Sequence, residues 1–158
     1  EAEVEVRERR LRSALLRPKP AESEPLGAEM PVFTMEYSRD REELFIARSP
    51  VDYIVRPPML ARVKGAYGLL VIFAEMHPSL REGDLALINP HAPPRPENEV
   101  ALIGVDNDEL GAAVTLRALV SHDQDCWIAQ RWIDRQQQSF LKAEWPAAHV
   151  IVGRYSRI

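Results

Sequence analysis

The sequence has little of what metal, disulfide or nucleic-acid sites require. Of its 158 residues, one is cysteine and four are histidine, which excludes a disulfide framework and a zinc site built from several cysteines. The 20 basic residues are outnumbered by 24 acidic ones, so this chain lacks the positive surface that phosphate backbones require. No glycine-rich phosphate loop occurs, and the histidines have no ligand spacing. We expect neither a metal nor a cofactor.

Long hydrophobic runs are also absent. No segment approaches the roughly 18 apolar residues of a membrane span, and the first ten residues, EAEVEVRERR, are too charged for a signal peptide. We therefore expect a cytoplasmic protein without a membrane contact. With 46% hydrophobic and 28% charged residues, a chain of this length buries enough surface for one globular domain.

The chain divides into three parts by composition. Residues 1–17 have early acids and late arginines, which suits a helix dipole and predicts a short exposed helix. Residues 18–30 mix proline and glutamate with a serine and a glycine and predict an extended linker. A compact domain is expected over residues 31–158.

That domain is predicted to be mainly β. It contains successive short segments rich in valine, isoleucine, leucine and aromatic residues, each bounded by turn residues; they read PVFTMEY, DYIV, YGLLVIF, DLALI, EVALIGV, AAVTLRALV, CWIAQ and HVIVGRYS. One short helix is predicted at residues 57–64, where proline suits the first turn and Gly65 ends the segment. The polar stretch QRWIDRQQQSF is assigned neither structure nor function.

One block of the sequence is similar to a known family. The stretch VIFAEMHPSLREGDLALINP, residues 71–90, resembles the core of the S24 peptidases, which include LexA-like and phage repressors and UmuD-type polymerase subunits. The resemblance extends over about residues 31–155 and implies a compact domain of highly twisted β-sheets forming a partial barrel. The residues that match the family's order are Met76, Pro78, Gly83, Asp84 and Pro90.

The resemblance fails at the two catalytic positions. Glu75 stands where the family has its nucleophilic serine, and Arg117 stands where the family has its lysine. A guanidinium stays protonated and cannot remove a proton from a nucleophile, and a carboxylate attacks peptide bonds poorly. The Ala-Gly and Cys-Gly bonds that family repressors cleave are also absent. We therefore expect no peptidase activity.

The substituted positions leave two arrangements of their charges open. If Glu75 and Arg117 face each other as the family's serine and lysine do, they can form a bidentate contact; two separately solvated charges are the equally weighted alternative. The residues expected to line the same cleft are Phe73, Ala74, Met76 and Thr115.

The resemblance implies a C-terminal dimerisation and regulatory domain of a transcriptional repressor. DNA would be bound through a helix-turn-helix domain not present in this chain, and an antirepressor protein or a ligand in the cleft would end repression. A homodimer is expected, with its interface at His149, Val150, Ile151, Val152 and Tyr155. Two alternatives are an accessory subunit like UmuD, which binds a polymerase, and a hydrolase that uses Ser79 as a displaced nucleophile.

Overall fold

The computed structural model describes residues 29–107 and 109–156. The predicted helix at residues 1–17 lies outside the described residues, and so does the predicted linker as far as residue 28. The first strand begins at Glu29, just ahead of the expected start of the domain at Pro31.

The described residues form eleven strands and two single 3₁₀ turns, so the prediction of a mainly β fold is confirmed. The strands are β1 (Glu29–Phe33), β2 (Met35–Ser38), β3 (Glu43–Ile46), β4 (Asp52–Val55), β5 (Tyr67–Leu70), β6 (Leu85–Asn89), β7 (Glu99–Asn107), β8 (Gly111–His122), β9 (Cys126–Gln130), β10 (Gln137–Leu141) and β11 (Ala147–Tyr155). The 3₁₀ turns are Pro58–Leu60 and Ala74–Met76.

The predicted helix at residues 57–64 is reduced to the first of these turns. Prolines at positions 57 and 58 have no amide hydrogen, so they can begin a helical turn but contribute no hydrogen bond to it. Leu60 is buried and anchors the turn against the sheet. Gly65 adopts φ +72°, a left-handed conformation that ends the segment as expected.

The strands belong to one twisted, branched sheet whose edge strands are β10, β4 and β2. Their order is β10-β9-β8-β7-β11-β6-β5-β1-β4, and β3 joins β2 to β8. All pairs are antiparallel except β1 with β5. Along the same side of the long strand β8, β3 pairs at Ala113 and Val114, whereas β9 pairs from Ala118 onward. The sheet therefore branches at β8, and the two branches diverge near the middle of that strand.

Apolar side chains on both faces of the sheet pack into three buried clusters. The largest cluster includes Phe33, Tyr67, Ile88 and Leu116 and extends beneath the second 3₁₀ turn through Met76. A second cluster lies between β7, β9, β10 and β11, and a third is covered by the first 3₁₀ turn. Burial on this scale supplies the main favourable free energy of folding and makes β8 a rigid floor for the groups it presents.

Candidate functional site

The second 3₁₀ turn presents Glu75 to the middle of β8. Met76 is buried in the core, and the amide of His77 donates to the carbonyl of Ala74 at 3.0 Å. The carbonyl of Glu75 accepts the amide of Ile133 at 3.2 Å. Because the turn is fixed on both sides, the Glu75 side chain has a defined direction toward the branch point of the sheet.

Glu75 and Arg117 are in contact. Arg117 Nη1 donates to Glu75 Oε2 at 2.9 Å and to the carbonyl of Leu116 at 2.8 Å. The guanidinium carbon also lies 5.8 Å from the centre of the Phe140 ring. Of the two arrangements that the sequence left open, the facing one is present, and one guanidinium nitrogen rather than two contacts the carboxylate.

The two partners differ in exposure. The Arg117 side chain is 10% exposed and that of Glu75 is 34% exposed. Burial lowers the pKa of Arg117 below its ordinary value, and the neighbouring Glu75 carboxylate opposes this shift. The guanidinium remains the charged form at neutral pH because its ordinary pKa is so high. The pair is therefore a half-buried, fixed charge pair.

The ion pair lies in a cleft of about 310 Å³ between the two branches of the sheet. Its floor comes from β8, one wall comes from the β2–β3 hairpin, and the other comes from β10. The lining residues are Tyr37, Glu42, Glu43, Leu44, Phe73, Glu75, Val114, Thr115, Arg117, Gln138, Phe140 and Trp145. Both Phe73 and Thr115 line the cleft as predicted.

The other predicted lining residues lie elsewhere. Met76 borders a small adjoining cavity of about 10 Å³ under the same turn. Ala74 borders neither space. It precedes Glu75, which is the residue of this turn that faces β8. Sequence reasoning also missed both walls of the cleft. The available signal for one of them was Glu42–Glu43, an acidic pair beside the apolar residues of β3.

Ser79 belongs to a different polar group. Its hydroxyl donates to Glu99 Oε1 at 2.7 Å, and Trp132 Nε1 donates to the other oxygen of that carboxylate at 3.2 Å. Ser79 is not among the residues that line the cleft. The interaction ties the loop after the second 3₁₀ turn to β7.

A buried histidine lies on β11. The Nδ1 atom of His149 is 2.7 Å from the hydroxyl of Tyr67, and both side chains are buried. Burial lowers the pKa of His149 to about 4, with a smaller contribution from His91, so His149 is neutral at pH 7. Burial likewise raises the pKa of Tyr67.

This burial corrects part of the predicted dimer interface. His149 and Val150 are buried within the chain itself, because Val150 packs in the second apolar cluster and His149 contacts the Tyr67 hydroxyl. Neither side chain is exposed for contact with a partner. Ile151 is half-buried and packs against the main core. Exposed apolar side chains remain at Val152 and Tyr155, and for these two the interface stays a prediction.

The described residues contain neither a cluster of metal-ligating side chains nor a helix that could cross a membrane. No group of three or more histidine, cysteine, aspartate or glutamate side chains is arranged to hold a metal in residues 29–107 and 109–156. None of the helical segments in that part of the chain has the length and hydrophobicity of a bilayer crossing.

The chain is distantly similar to Repressor protein C of Rhizobium phage 16-3. The two sequences are 25% identical over 131 residues, a region that makes up 80% of this chain and 50% of the relative. The chain thus spans about half the length of the curated relative it matches. No family model matches the chain.

Proposed function

We propose that the chain is the regulatory domain of a phage-type transcriptional repressor and that it does not cleave itself. Two observations of different origin support this proposal. The block at residues 71–90 resembles the core of the S24 peptidases, and the distant relative carries the name of a phage repressor. A mainly β domain with a cleft beside that block fits both.

The contact between Glu75 and Arg117 carries the proposal. By the resemblance, these residues occupy the positions of the nucleophilic serine and of the lysine that activates it, and their side chains meet at 2.9 Å inside the cleft. Amide hydrolysis by such a dyad needs a nucleophile with a removable proton and a neutral amine to accept it. A carboxylate and a guanidinium supply neither. The cleft therefore holds two charged side chains that cannot carry out this hydrolysis.

The remaining parts of the proposal follow from the repressor function. The relative is about twice as long as the matched segment, and we assign DNA binding to a helix-turn-helix domain outside this chain. A homodimer would set the spacing of two such domains on a pseudo-palindromic operator. Without self-cleavage, repression must end by another route, and we assign that route to an antirepressor protein or a ligand that acts in the cytoplasm.

Incubation under conditions that trigger self-cleavage tests the proposal. The chain is held at alkaline pH, or with an activated recombinase filament, beside a self-cleaving LexA-like repressor as the positive control. The expected result is an intact chain by mass spectrometry while the control is cleaved. A discrete cut between residues 18 and 35 would overturn the proposal.

A hydrolase that uses Ser79 is the second candidate, because the Ser79 hydroxyl donates to the Glu99 carboxylate at 2.7 Å and a carboxylate can act as a general base. The position of Ser79 outside the cleft lining speaks against it. A serine-reactive fluorophosphonate probe distinguishes the two. Labelling at Ser79 that is lost in Ser79→Ala would favour the hydrolase, and no labelling would favour the repressor domain.

A further inference from the structure

The cleft around Glu75 and Arg117 has the features of a binding site for a positively charged group. It is lined by three carboxylates, Glu42, Glu43 and Glu75, against one guanidinium. Since the guanidinium of Arg117 is already paired with Glu75, the two remaining carboxylates determine the net charge. Glu42 and Glu43 are exposed at the rim, so they can attract a cation while keeping most of their own hydration.

Two aromatic rings also line the cleft. Tyr37 and Phe73 are both exposed, and their ring centres lie 5.9 Å apart with the planes nearly perpendicular. Exposed aromatic faces beside carboxylates attract the side chains of arginine and lysine, because the ring face is electron-rich. The two features together favour a guanidinium or an ammonium over an anion or a neutral sugar.

The floor of the cleft contributes a polar side chain. Thr115 lies on β8, is 9% exposed and lines the cleft. A hydroxyl can both donate and accept, so Thr115 is suited to a backbone amide or carbonyl that enters the cleft. An extended peptide supplies such groups, whereas a free cation does not.

We infer that the cleft binds an extended peptide segment of a partner protein, which places one arginine or lysine side chain between the aromatic pair and the carboxylates of Glu42 and Glu43. The inference rests on the proposed function for its biological meaning, since such a peptide would be the route by which a partner releases a repressor that cannot cleave itself. The volume of about 310 Å³ accommodates a few residues, at the small end of the usual range for ligand sites.

The test uses the full chain and three acetylated, amidated octapeptides of alanine and glycine with one central arginine, citrulline or glutamate. Citrulline has the shape of arginine without its charge. Isothermal titration is expected to show the arginine peptide binding about tenfold more tightly than the citrulline peptide, and the glutamate peptide not binding. Acetyl-arginine amide is expected to bind about tenfold more weakly than the arginine peptide, because it lacks the extended backbone.

Variants of the chain locate the binding site. Replacement of both rim carboxylates, Glu42→Gln with Glu43→Gln, is expected to reduce the affinity for the arginine peptide about tenfold and to abolish its advantage over citrulline. The matched control is Glu36→Gln, an exposed glutamate on β2 that does not line the cleft, with an expected change below about twofold. Thr115→Val is expected to weaken the arginine and citrulline peptides equally, by a few-fold.

Four results would overturn the inference. Equal affinity for the arginine and citrulline peptides would show that the positive charge does not contribute to binding. An equal loss of affinity in Glu36→Gln would show that the cleft is not the binding site. The third uses a full chain in which Arg9, Arg10 and Arg12 are replaced by serine. If its affinity for the arginine peptide rises at least fivefold, the chain's own basic segment is the occupant; an unchanged affinity supports a partner. A chain that stays intact at alkaline pH but binds no peptide would refute this inference and leave the proposed function standing.

Discussion

Removal of the Glu75 carboxylate is the most informative perturbation of the cleft. Breaking a fully buried ion pair by removing one partner costs about 3 to 5 kcal/mol, because a charge is left in a dry site. An exposed pair is worth about 0 to 1 kcal/mol. Arg117 is 10% exposed and Glu75 is 34% exposed, which places this pair between the two limits. We expect Glu75→Ala to lower the free energy of unfolding by about 2 kcal/mol.

Two contacts keep the loss below the upper limit. In Glu75→Ala the guanidinium of Arg117 still donates to the carbonyl of Leu116 at 2.8 Å and still lies over the Phe140 ring. Water can also enter through the space that the carboxylate leaves. Glu75→Gln retains a hydrogen-bond acceptor without the charge and is expected to cost about 1 kcal/mol.

The double variant Glu75→Leu with Arg117→Met tests the physical reason. It removes both charges, so no uncompensated group is left, and its stability is expected to lie within about 1 kcal/mol of the unchanged chain. Urea unfolding at pH 7, followed by tryptophan fluorescence, measures all of these values. Glu82→Ala, at an exposed glutamate outside the cleft, is the control, with an expected change within about 0.5 kcal/mol. A loss below about 0.5 kcal/mol in Glu75→Ala, or a double variant no more stable than Glu75→Ala, would refute this reasoning.

Two further predictions concern stability. The pKa of His149 is about 4 in the folded chain and 6.5 ordinarily, so the unfolded chain binds the proton more readily. The free energy of unfolding is therefore at its full value above about pH 6.5 and falls by up to about 3 kcal/mol toward pH 4. Urea midpoints that fall as steeply between pH 7 and 5 in His149→Gln as in the unchanged chain would contradict this. Gly111 has φ +99° and an added Cβ would lie 2.7 Å from the carbonyl oxygen of Ile46, so Gly111→Ala is expected to cost about 2 to 3 kcal/mol. In Gly153→Ala the added Cβ would meet the flexible end of Met59 at 3.2 Å and Leu87 Cδ1 at an ordinary 3.6 Å. This variant is expected to lose less, and the reverse order would contradict the argument.

The strands that sequence predicted well are those with strong apolar patterns. DYIV and CWIAQ coincide with β4 and β9, and the buried run of β7 lies within its predicted segment. The strand predicted for YGLLVIF ends at Leu70, because the following residues leave the sheet to form the second 3₁₀ turn. Continuous apolar composition does not reveal where a buried strand bends away.

The two strands that the sequence did not predict are the ones that build the cleft walls. In β10 only Phe140 is buried, so the segment has no apolar alternation and is a strand by virtue of its backbone pairing with β9. β3 is four residues long, with a glutamate at its start. The facing of Glu75 and Arg117, which are 42 positions apart, was accessible through the family resemblance. The acidic rim was not, because it depends on where these two unpredicted strands lie.

The charges of the cleft have two separable roles. Glu75 and Arg117 contribute opposite charges in direct contact, so together they add almost nothing to the potential at the rim. A pair of apolar side chains would fill their place at no greater cost in stability, which means that stability does not explain why charges are there. Glu42 and Glu43 carry the potential instead, and they are exposed, so their replacement costs the fold little. A variant that loses the central pair is therefore expected to keep its preference for arginine over citrulline, whereas a variant that loses the rim is expected to keep its stability.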